Sequence, residues 1–443
     1  MMRRQLASRR GERGQVIVMC ALSLLILLLF AGLAIDFGLA YLTKADLGKA
    51  VDAAALTGAR YVAGGQTTAQ NMAISAFNMN YPHPKGDTVQ VTVPPFTIDS
   101  MGNKVLTVTA TSTIQPYFLS LLPAFQTLNV SARAEARYAR VKMTVVIDRT
   151  GSMTTSDPTN ELPGAMINFI TQFDNVTDTV ALITFANNWT TDVPMNTGGF
   201  QAPVTAVANG IRARFNGGTF TDGALQEAFI EEEAPVSPPL TGNIVNVVVL
   251  FTDGQANTIQ VPLTCSAKTS LQSGTWNVGG TDSAGDVDFM TTSNTYYQTH
   301  KCSNGITAYP LNSNPPNNSD CAGQTDNRQS ACDGLFPSTL TGTNMPLTHA
   351  NVTADAKNRA VLDTNNMRNN NIVVYTIGLG DFDDTLNTFM CEMANDPCPS
   401  YKSGNPMYNP ALPVGQYVLA VNSTQLDAAF QEIANSIHLR LLQ

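Results

Sequence analysis

Charge is scarce in this sequence of 443 residues, because only 13% of them are Asp, Glu, Lys or Arg. Soluble globular domains usually carry about 25%. The chain is also acidic, with a formal net charge of −9, and Lys and Arg cluster nowhere beyond its first fourteen residues. Phosphate contacts require such clusters, so the composition excludes nucleic acid as the main partner. A hydrophobic fraction of 43% likewise excludes a disordered chain.

The sequence also lacks the patterns that mark common catalytic sites. It has four histidines, and none is paired at the spacing of metal ligands. No HExxH, GxSxG, GxxxxGK[ST] or GxGxxG motif occurs in it. We therefore expect a binding protein and not an enzyme.

One long apolar run lies near the N-terminus, from Val16 to Ile35. Its twenty residues span roughly 30 Å as a helix, which is the thickness of a hydrocarbon core. Five arginines precede the run, and the positive-inside rule places them in the cytoplasm. We predict a cytoplasmic tail over 1–14, an inner-membrane anchor over 15–36 and an extracytoplasmic remainder. A cleaved signal peptide is the alternative, although its apolar region is normally only about 7–15 residues long.

Six of the seven cysteines follow this run, an even set that suits three disulfide bonds in an exported protein. Their spacing does not match a zinc site. We expect Cys391 to pair with Cys398, because the short loop between them closes easily. The other four lie inside 256–350, a stretch rich in Asn, Ser, Thr, Gly and Pro that we interpret as a disulfide-containing insertion: Cys265, Cys302, Cys321 and Cys332.

Residues 37–138 predict a further helix and a small α+β domain. Small and apolar residues recur at spacings of three and four from Phe37 to Val62, so the helix should continue beyond the membrane. This small-residue face lets another helix approach closely, either from the chain's own next domain or from another protein. A helix over 67–79 and strands over 88–93, 105–113 and 127–134 complete the domain.

The N-terminal region carries a resemblance to a known family. Arg13-Gly14-Gln15, the apolar run and the segment from Asp52 to Ala59 (DAAALTGA) resemble the start of TadG-type Flp pilus-assembly proteins. In that family the segment anchors an exported protein of the tight-adherence (Tad) apparatus. The resemblance covers residues 10–65 and implies pilus-assembly components as partners at the small-residue face.

Residues 139–443 predict a doubly wound, mostly parallel α/β sheet, since buried strands alternate with helices from Met143 onwards. Ligands bind at the carboxyl ends of such strands. The oxygen-bearing side chains expected there include one carboxylate and two hydroxyls from a single turn, a set that suits a hard divalent cation. A threonine before a helix and an aspartate after the most apolar strand supply further oxygens. The five candidate ligands are Asp148, Thr150, Ser152, Thr219 and Asp253.

These five side chains resemble the metal-ion-dependent adhesion site of the von Willebrand factor A fold, which uses an Asp-x-Ser-x-Ser loop, a distant Thr and a distant Asp. Only Thr150 departs from that pattern, and it keeps the hydroxyl. The resemblance covers 139–255 and 351–443 and implies a Rossmann-type fold. It also implies a divalent cation, Mg²⁺ before Mn²⁺ or Ca²⁺, that is completed by an acidic side chain of a protein partner. The insertion at 256–350 leaves directly after Asp253, so we expect it to shape or cover the partner surface. The alternative is a solvated decoration of the domain.

The sequence as a whole predicts a membrane-anchored, exported binding or assembly protein of a Tad (Flp) pilus-type system. The alternative is a surface-exposed or secreted adhesin that binds host or matrix protein and uses its N-terminus only as an export signal. An intact N-terminus in the membrane would distinguish the two.

Overall fold

The computed structural model divides the chain into two compact units, and each is described by itself. The first comprises the described residues up to Asp99 together with Lys104–Tyr138, and the second comprises Ser100–Asn103 and Ala139–Leu441. The structure describes residues 12–82, 87–100, 102–196, 198–236, 240, 243–267, 270–279, 288–291, 296–297, 308–310, 344–346 and 349–441.

The first unit begins with α1, an uninterrupted helix of 49 residues from Glu12 to Arg60. At about 1.5 Å per residue it is roughly 73 Å long. Within the described residues it is the one helix long and apolar enough to cross a membrane, with a mean hydropathy of 3.0 over its most apolar window. The helix continues past Ile35 without a break, which confirms the predicted continuation.

A second helix and an antiparallel sheet complete the first unit. Its elements are α2 (Gln66–Asn80), β1 (Thr88–Thr92), β2 (Thr97–Ile98), β3 (Lys104–Ile114) and β4 (Leu128–Tyr138). β3 is central, because β1, β2 and β4 all pair with it. β4 extends four residues beyond the predicted strand, since Ala134, Ala136 and Tyr138 alternate into the core.

The small-residue face of α1 is split between the core and the surface. Ala55 is buried in the cluster that α1 forms with α2 and the sheet. A Cβ atom on Gly58 would lie 2.8 Å from the Cβ of Ala73, so the two helix backbones approach closely there. Phe37 and Tyr41 on the same face are 64% and 74% exposed. The chain's own second helix therefore occupies the C-terminal half of this face.

The second unit is built on a six-stranded sheet. In chain order its strands are β5 (Arg140–Asp148), β6 (Thr179–Phe185), β7 (Trp189–Val193), β8 (Ile244–Thr252), β15 (Ile372–Leu379) and β16 (Tyr417–Ala420). Their spatial order is β16-β15-β8-β5-β6-β7, and β7, paired with β6, is the one antiparallel strand of this sheet. This arrangement confirms the predicted mostly parallel α/β fold.

Helices cover this sheet. They are α3 (Met153–Ser156), α4 (Leu162–Ile170), α5 (Gln201–Gly210), α6 (Thr221–Glu233), α7 (His349–Asn369), α8 (Asp384–Ala394) and α9 (Leu426–Leu441). α4 packs on α9 through Phe169 and Phe430, whose ring centroids lie 5.5 Å apart. α6, α7 and α8 contribute to one buried cluster with the central strands. Each buried strand therefore has apolar cover, as its continuous apolar sequence requires.

The insertion contains more regular structure than its composition indicates. Four strands form an antiparallel sheet, namely β9 (Thr258–Ala267), β10 (Ser270–Gly279), β11 (Asp288–Thr291) and β12 (Tyr296–Tyr297). β13 (Ala308–Pro310) pairs with β14 (Asn344–Pro346). The Asn, Ser, Gly and Pro content of 256–350 does not indicate these strands, whose Thr, Val and Ile residues favour β structure.

Of the predicted disulfide set, Cys391 and Cys398 are bonded, with an S–S distance of 2.07 Å. This confirms the pair that the short loop predicts. Cys302, Cys321 and Cys332 lie outside the described residues, as does the side chain of Cys265.

Candidate metal centre

The predicted ligands lie at the carboxyl edge of the six-stranded sheet. β5 ends at Asp148, and its parallel neighbour β8 ends at Thr252. Because Ile147 pairs with Phe251, the residues that follow these strands emerge side by side. The register of two adjacent strands thus brings Asp148 and Asp253 together across more than a hundred positions of sequence.

Asp148 is the fully buried residue of the site. One of its carboxylate oxygens accepts a hydrogen bond from the Thr150 backbone N–H at 2.7 Å. The other accepts one from Oγ1 of Thr252 at 2.6 Å. The first contact closes the turn after β5, and the second ties this turn to the end of β8.

The hydroxyls of the turn meet the second carboxylate. Thr150 Oγ1 lies 2.8 Å from Ser152 Oγ, and Ser152 Oγ donates to Oδ1 of Asp253 at 2.7 Å. Thr150 Oγ1 is 3.4 Å from the same oxygen. The other oxygen of Asp253, Oδ2, is buried and has no hydrogen-bond partner. The structure therefore brings four of the five predicted side chains into one hydrogen-bonded cluster.

The Thr219 loop approaches this cluster through its backbone. The Gly151 N–H donates to the Gly217 carbonyl at 3.0 Å. The Thr219 N–H donates to Oδ1 of Asn257 at 2.7 Å, which fixes the loop against the start of the insertion. Within the described residues the hydroxyl of Thr219 forms no hydrogen bond with the other four candidates. The prediction for Thr219 is therefore supported by the position of its loop alone.

Burial disfavours negative charge at both carboxylates. Burial raises the pKa of Asp148 to about 7, and the neighbouring charge of Asp253 adds to this effect. Burial also raises the pKa of Asp253, while the hydroxyls of Ser156, Ser152 and Thr150 oppose the shift. Two buried carboxyl groups that share a site resist ionising together, and a bound cation reverses that preference.

The donor set fits a divalent cation. Two hydroxyls and two carboxylates are the hard oxygen donors that Mg²⁺ and Mn²⁺ accept, and the unpartnered Oδ2 of Asp253 is an acceptor without a donor. Ser152 is exposed, so the cluster opens to solvent on its side. Across the described residues no three His, Cys, Asp or Glu side chains form a metal-binding group, as expected where hydroxyls supply half of the donors.

Sequence reasoning missed three residues beside the site. Thr252 and Asn257 hold Asp148 and Thr219 through the hydrogen bonds above. Arg149, which follows Asp148 directly, is buried and lines a polar recess of about 260 Å³ together with Asn187. The signal for Thr252 is its position at the end of a buried strand, where a side-chain hydroxyl must find a local acceptor.

A mostly parallel sheet with hydroxyl and carboxylate oxygens at its carboxyl edge fits a domain of the A type. In agreement, residues 143–296 match the sequence profile of the von Willebrand factor type A domain. Residues 14–60 match the TadE/G-like profile of Flp pilus assembly. The chain therefore carries a TadE/G-like segment followed by a von Willebrand factor type A domain, as the sequence resemblances predict.

Several solved structures are distantly similar to this chain. The PilB minor pilin from Streptococcus sanguinis is 13% identical, with 80% of this chain and 79% of that chain covered and a TM-score of 0.35. The von Willebrand factor domain of the type V pili tip protein Mfa5 from Porphyromonas gingivalis is 14% identical, with 69% of this chain and 97% of that chain covered and a TM-score of 0.38.

Proximal thread matrix protein 1 from the mussel byssus, in a form with a zinc-occupied MIDAS motif, is 12% identical, covering 68% of this chain, with a TM-score of 0.34. This chain spans under half of that protein's length, at 46%. No curated protein matches the sequence.

Proposed function

We propose that this protein is a membrane-anchored binding component of a Tad-type pilus system. In this proposal a divalent cation, Mg²⁺ in the first place, is held at the carboxyl edge of the sheet and captures an acidic side chain of a partner protein. The N-terminus is cytoplasmic, the anchor lies in the inner membrane and the rest of the chain is extracytoplasmic. The protein recruits a partner and catalyses no reaction. The ligands are Asp148, Thr150, Ser152, Thr219 and Asp253.

The observation that carries the metal site is the convergence of Thr150 and Ser152 on Asp253. Ser152 Oγ lies 2.7 Å from Oδ1 of Asp253 although about a hundred residues separate them, because the adjacent strands β5 and β8 end side by side. A buried carboxylate oxygen without a donor is costly, and a cation would remove that cost. Ligation by neutral hydroxyls leaves much of the cation's charge uncompensated, so an acidic group from a partner would complete the site.

The membrane part of the proposal is supported by α1 and by the TadE/G-like match within it. The apolar run of α1 is exposed except near Gly32, whereas a core helix of this hydropathy would be covered. A helix of 49 residues exceeds the roughly 20 that a bilayer requires. Its remaining turns pack within the first unit, so one helix serves both as anchor and as part of a folded domain.

The metal site is tested by calorimetric titration of the full chain in detergent with MgCl₂ or MnCl₂. We expect one site in the wild type, and at least 100-fold weaker binding in Asp253→Asn. Asp381→Asn is the matched control, because Asp381 follows β15 at the same edge of the sheet and is exposed. Equal titration of Asp253→Asn and wild type would show that the site binds no cation.

Partner capture needs its own test, because a cation site can exist without an acidic partner. Cross-linked membranes of cells that carry a Tad system should yield pilus-assembly proteins with the wild type in Mg²⁺. The recovery of these cross-linked proteins should fall when EDTA is added and in Asp253→Asn, while Asp381→Asn should behave as wild type. Equal recovery under all four conditions would contradict capture through the metal. Mass spectrometry of the N-terminus in the same sample separates an intact anchor from a cleaved export signal.

A further inference from the structure

The first unit exposes a second apolar segment, residues 117–125, with the sequence YFLSLLPAF. Tyr117, Leu121 and Leu122 are 70%, 80% and 51% exposed. No Asp, Glu, Lys or Arg occurs between Lys104 and Arg133. A cluster of large exposed apolar side chains in an uncharged stretch requires cover from something other than water.

This segment lies along the apolar run of α1. Leu25, Leu28 and Leu29 of the run form a groove of about 410 Å³ with Leu121 and Leu122 and their neighbours. The lining of this groove is entirely apolar. Its chemistry matches a hydrocarbon chain.

The depth that the segment reaches in the membrane follows from its contacts on α1. The ring of Phe118 packs on Gly32 so closely that a Cβ atom on Gly32 would lie 2.6 Å from Cγ of Phe118. Leu25, the deepest helix residue of the groove, precedes Ile35 by ten positions. Ten helical residues rise about 15 Å, which is half of a hydrocarbon core of roughly 30 Å. A bilayer that surrounds the apolar run must therefore also surround this segment.

Asp36 holds the segment in place at the end of the run. Its carboxylate is fully buried and accepts three backbone hydrogen bonds, from the N–H groups of Tyr117, Phe118 and Leu119 at 2.7, 3.0 and 2.6 Å. A charged acceptor with three donors is a strong local tie. The segment is therefore held beside the apolar run by a specific contact.

The backbone of the segment is also suited to an environment without water, where unpaired N–H groups are costly. The N–H groups of Leu121, Leu122 and Phe125 donate to carbonyls three residues earlier, in two short 3₁₀ turns. Pro116 and Pro123 have no N–H to satisfy. Together with the three donors on Asp36, most of the segment's backbone donors are paired or absent.

We propose that residues 117–125 are a second membrane-embedded element, immersed beside α1 in the leaflet that faces the body of the chain, with a lipid acyl chain in the leucine-lined groove. This inference rests on the proposed membrane anchor in α1. The segment does not cross the bilayer. The anchor then consists of the apolar run of α1 and a wedge, residues 117–125, packed beside it. This wedge sets how deep α1 lies in the bilayer.

The test is quenching of introduced tryptophans by lipids brominated on their acyl chains, with the full chain in nanodiscs. Leu121→Trp probes the segment, and Leu28→Trp probes the apolar run. Ile98→Trp is the matched control, because Ile98 is 62% exposed and its strand pairs with the end of β3 opposite to Ile114. The wild type, which contains two tryptophans, defines the background. We expect at least a twofold loss of the added fluorescence for Leu121→Trp and Leu28→Trp, and none for Ile98→Trp.

Each alternative outcome overturns a different statement. Quenching of Leu28→Trp but not of Leu121→Trp would remove the proposed wedge and leave the anchor. A blue-shifted Leu121→Trp emission without quenching would assign the cover to a second copy of the chain. Absence of quenching in both would remove the anchor as well. None of these outcomes depends on the cation site, and Asp36→Ala should reduce quenching at position 121 alone.

Discussion

Replacing Gly217 by alanine should weaken the cation site without changing any ligand. Gly217 has a φ of +82°, and a Cβ atom there would lie 2.6 Å from the side chain of Asn187. Asn187 cannot remain in place, yet its Oδ1 accepts a hydrogen bond from the Gly218 N–H. The substitution therefore strains the backbone and also displaces a contact that holds the loop.

The magnitude follows from these two effects. A residue with a Cβ costs about 1–2 kcal/mol in the left-handed region. A lost hydrogen bond to the Asn187 amide adds about 1 kcal/mol. The free energy of unfolding of the second unit should fall by about 2–3 kcal/mol, which lowers Tm by roughly 4–10 °C for a domain of this size. The Gly217 carbonyl accepts a hydrogen bond from the Gly151 N–H, so the turn that carries Ser152 should shift as well. Cation affinity should then fall about tenfold.

The assay is thermal unfolding followed by near-ultraviolet circular dichroism, since Trp189 lies 5.7 Å from Phe220 and reports on this part of the unit. Calorimetric titration gives the affinity. Gly210→Ala is the control, because its φ is −102° and a Cβ atom there meets nothing within 4 Å. If Gly217→Ala and Gly210→Ala share one Tm and one affinity, the loop does not support the site.

Two further predictions concern other parts of the chain. Burial raises the pKa of Glu392 to about 8, against the opposing charge of Arg368, so its contribution to stability is complete below about pH 4.5 and is lost as pH rises through about 8. In urea unfolding, the free energy of unfolding of the wild type should fall by roughly 1–3 kcal/mol relative to that of Glu392→Gln between about pH 5 and 8. If the free energies of the two proteins change in parallel with pH, this prediction is wrong. Gly58→Ala should destabilise the first unit by about 1–3 kcal/mol, because its Cβ atom would meet Leu106 and α2. Gly48→Ala is the control, because a Cβ atom on Gly48 would meet nothing within 4 Å. In thermal unfolding it should be neutral or should stabilise the helix by up to about 1 kcal/mol. Equal effects of the two substitutions would refute the packing argument.

Much of the architecture could be predicted because its signals are local. The apolar runs of β5, β6, β8 and β15 each identify a buried strand, and the twenty residues before Asp36 identify a membrane-length helix. The turn after β5 identifies its own ligands, since Asp148, Thr150 and Ser152 are two residues apart. Each of these features depends on neighbours within one element.

What could not be predicted depends on which elements become neighbours in space. The hydrogen bond from Thr252 to Asp148 exists because β8 pairs with β5, and the sequence of neither strand specifies which strand lies beside it. The contact of Phe118 with Gly32 joins residues more than eighty positions apart, and a glycine in an apolar helix does not specify which side chain packs on it. Composition also hid the strands of the insertion, because Asn, Ser, Gly and Pro outnumber the Val and Ile residues that favour strands there.

The position of β5 has a mechanical consequence. It is an inner strand, flanked by β8 and β6, and it runs from Arg140, where the chain enters the sheet, to Asp148. A pull between Arg140 and a partner held at the proposed cation site would act along the axis of β5. Such a load would be carried by the covalent backbone of β5 and would not shear its hydrogen-bond ladders to β8 and β6, whereas a load across the strands would open those ladders one rung at a time. Tension at the proposed cation site would therefore pass along one strand to the point where the chain enters the sheet.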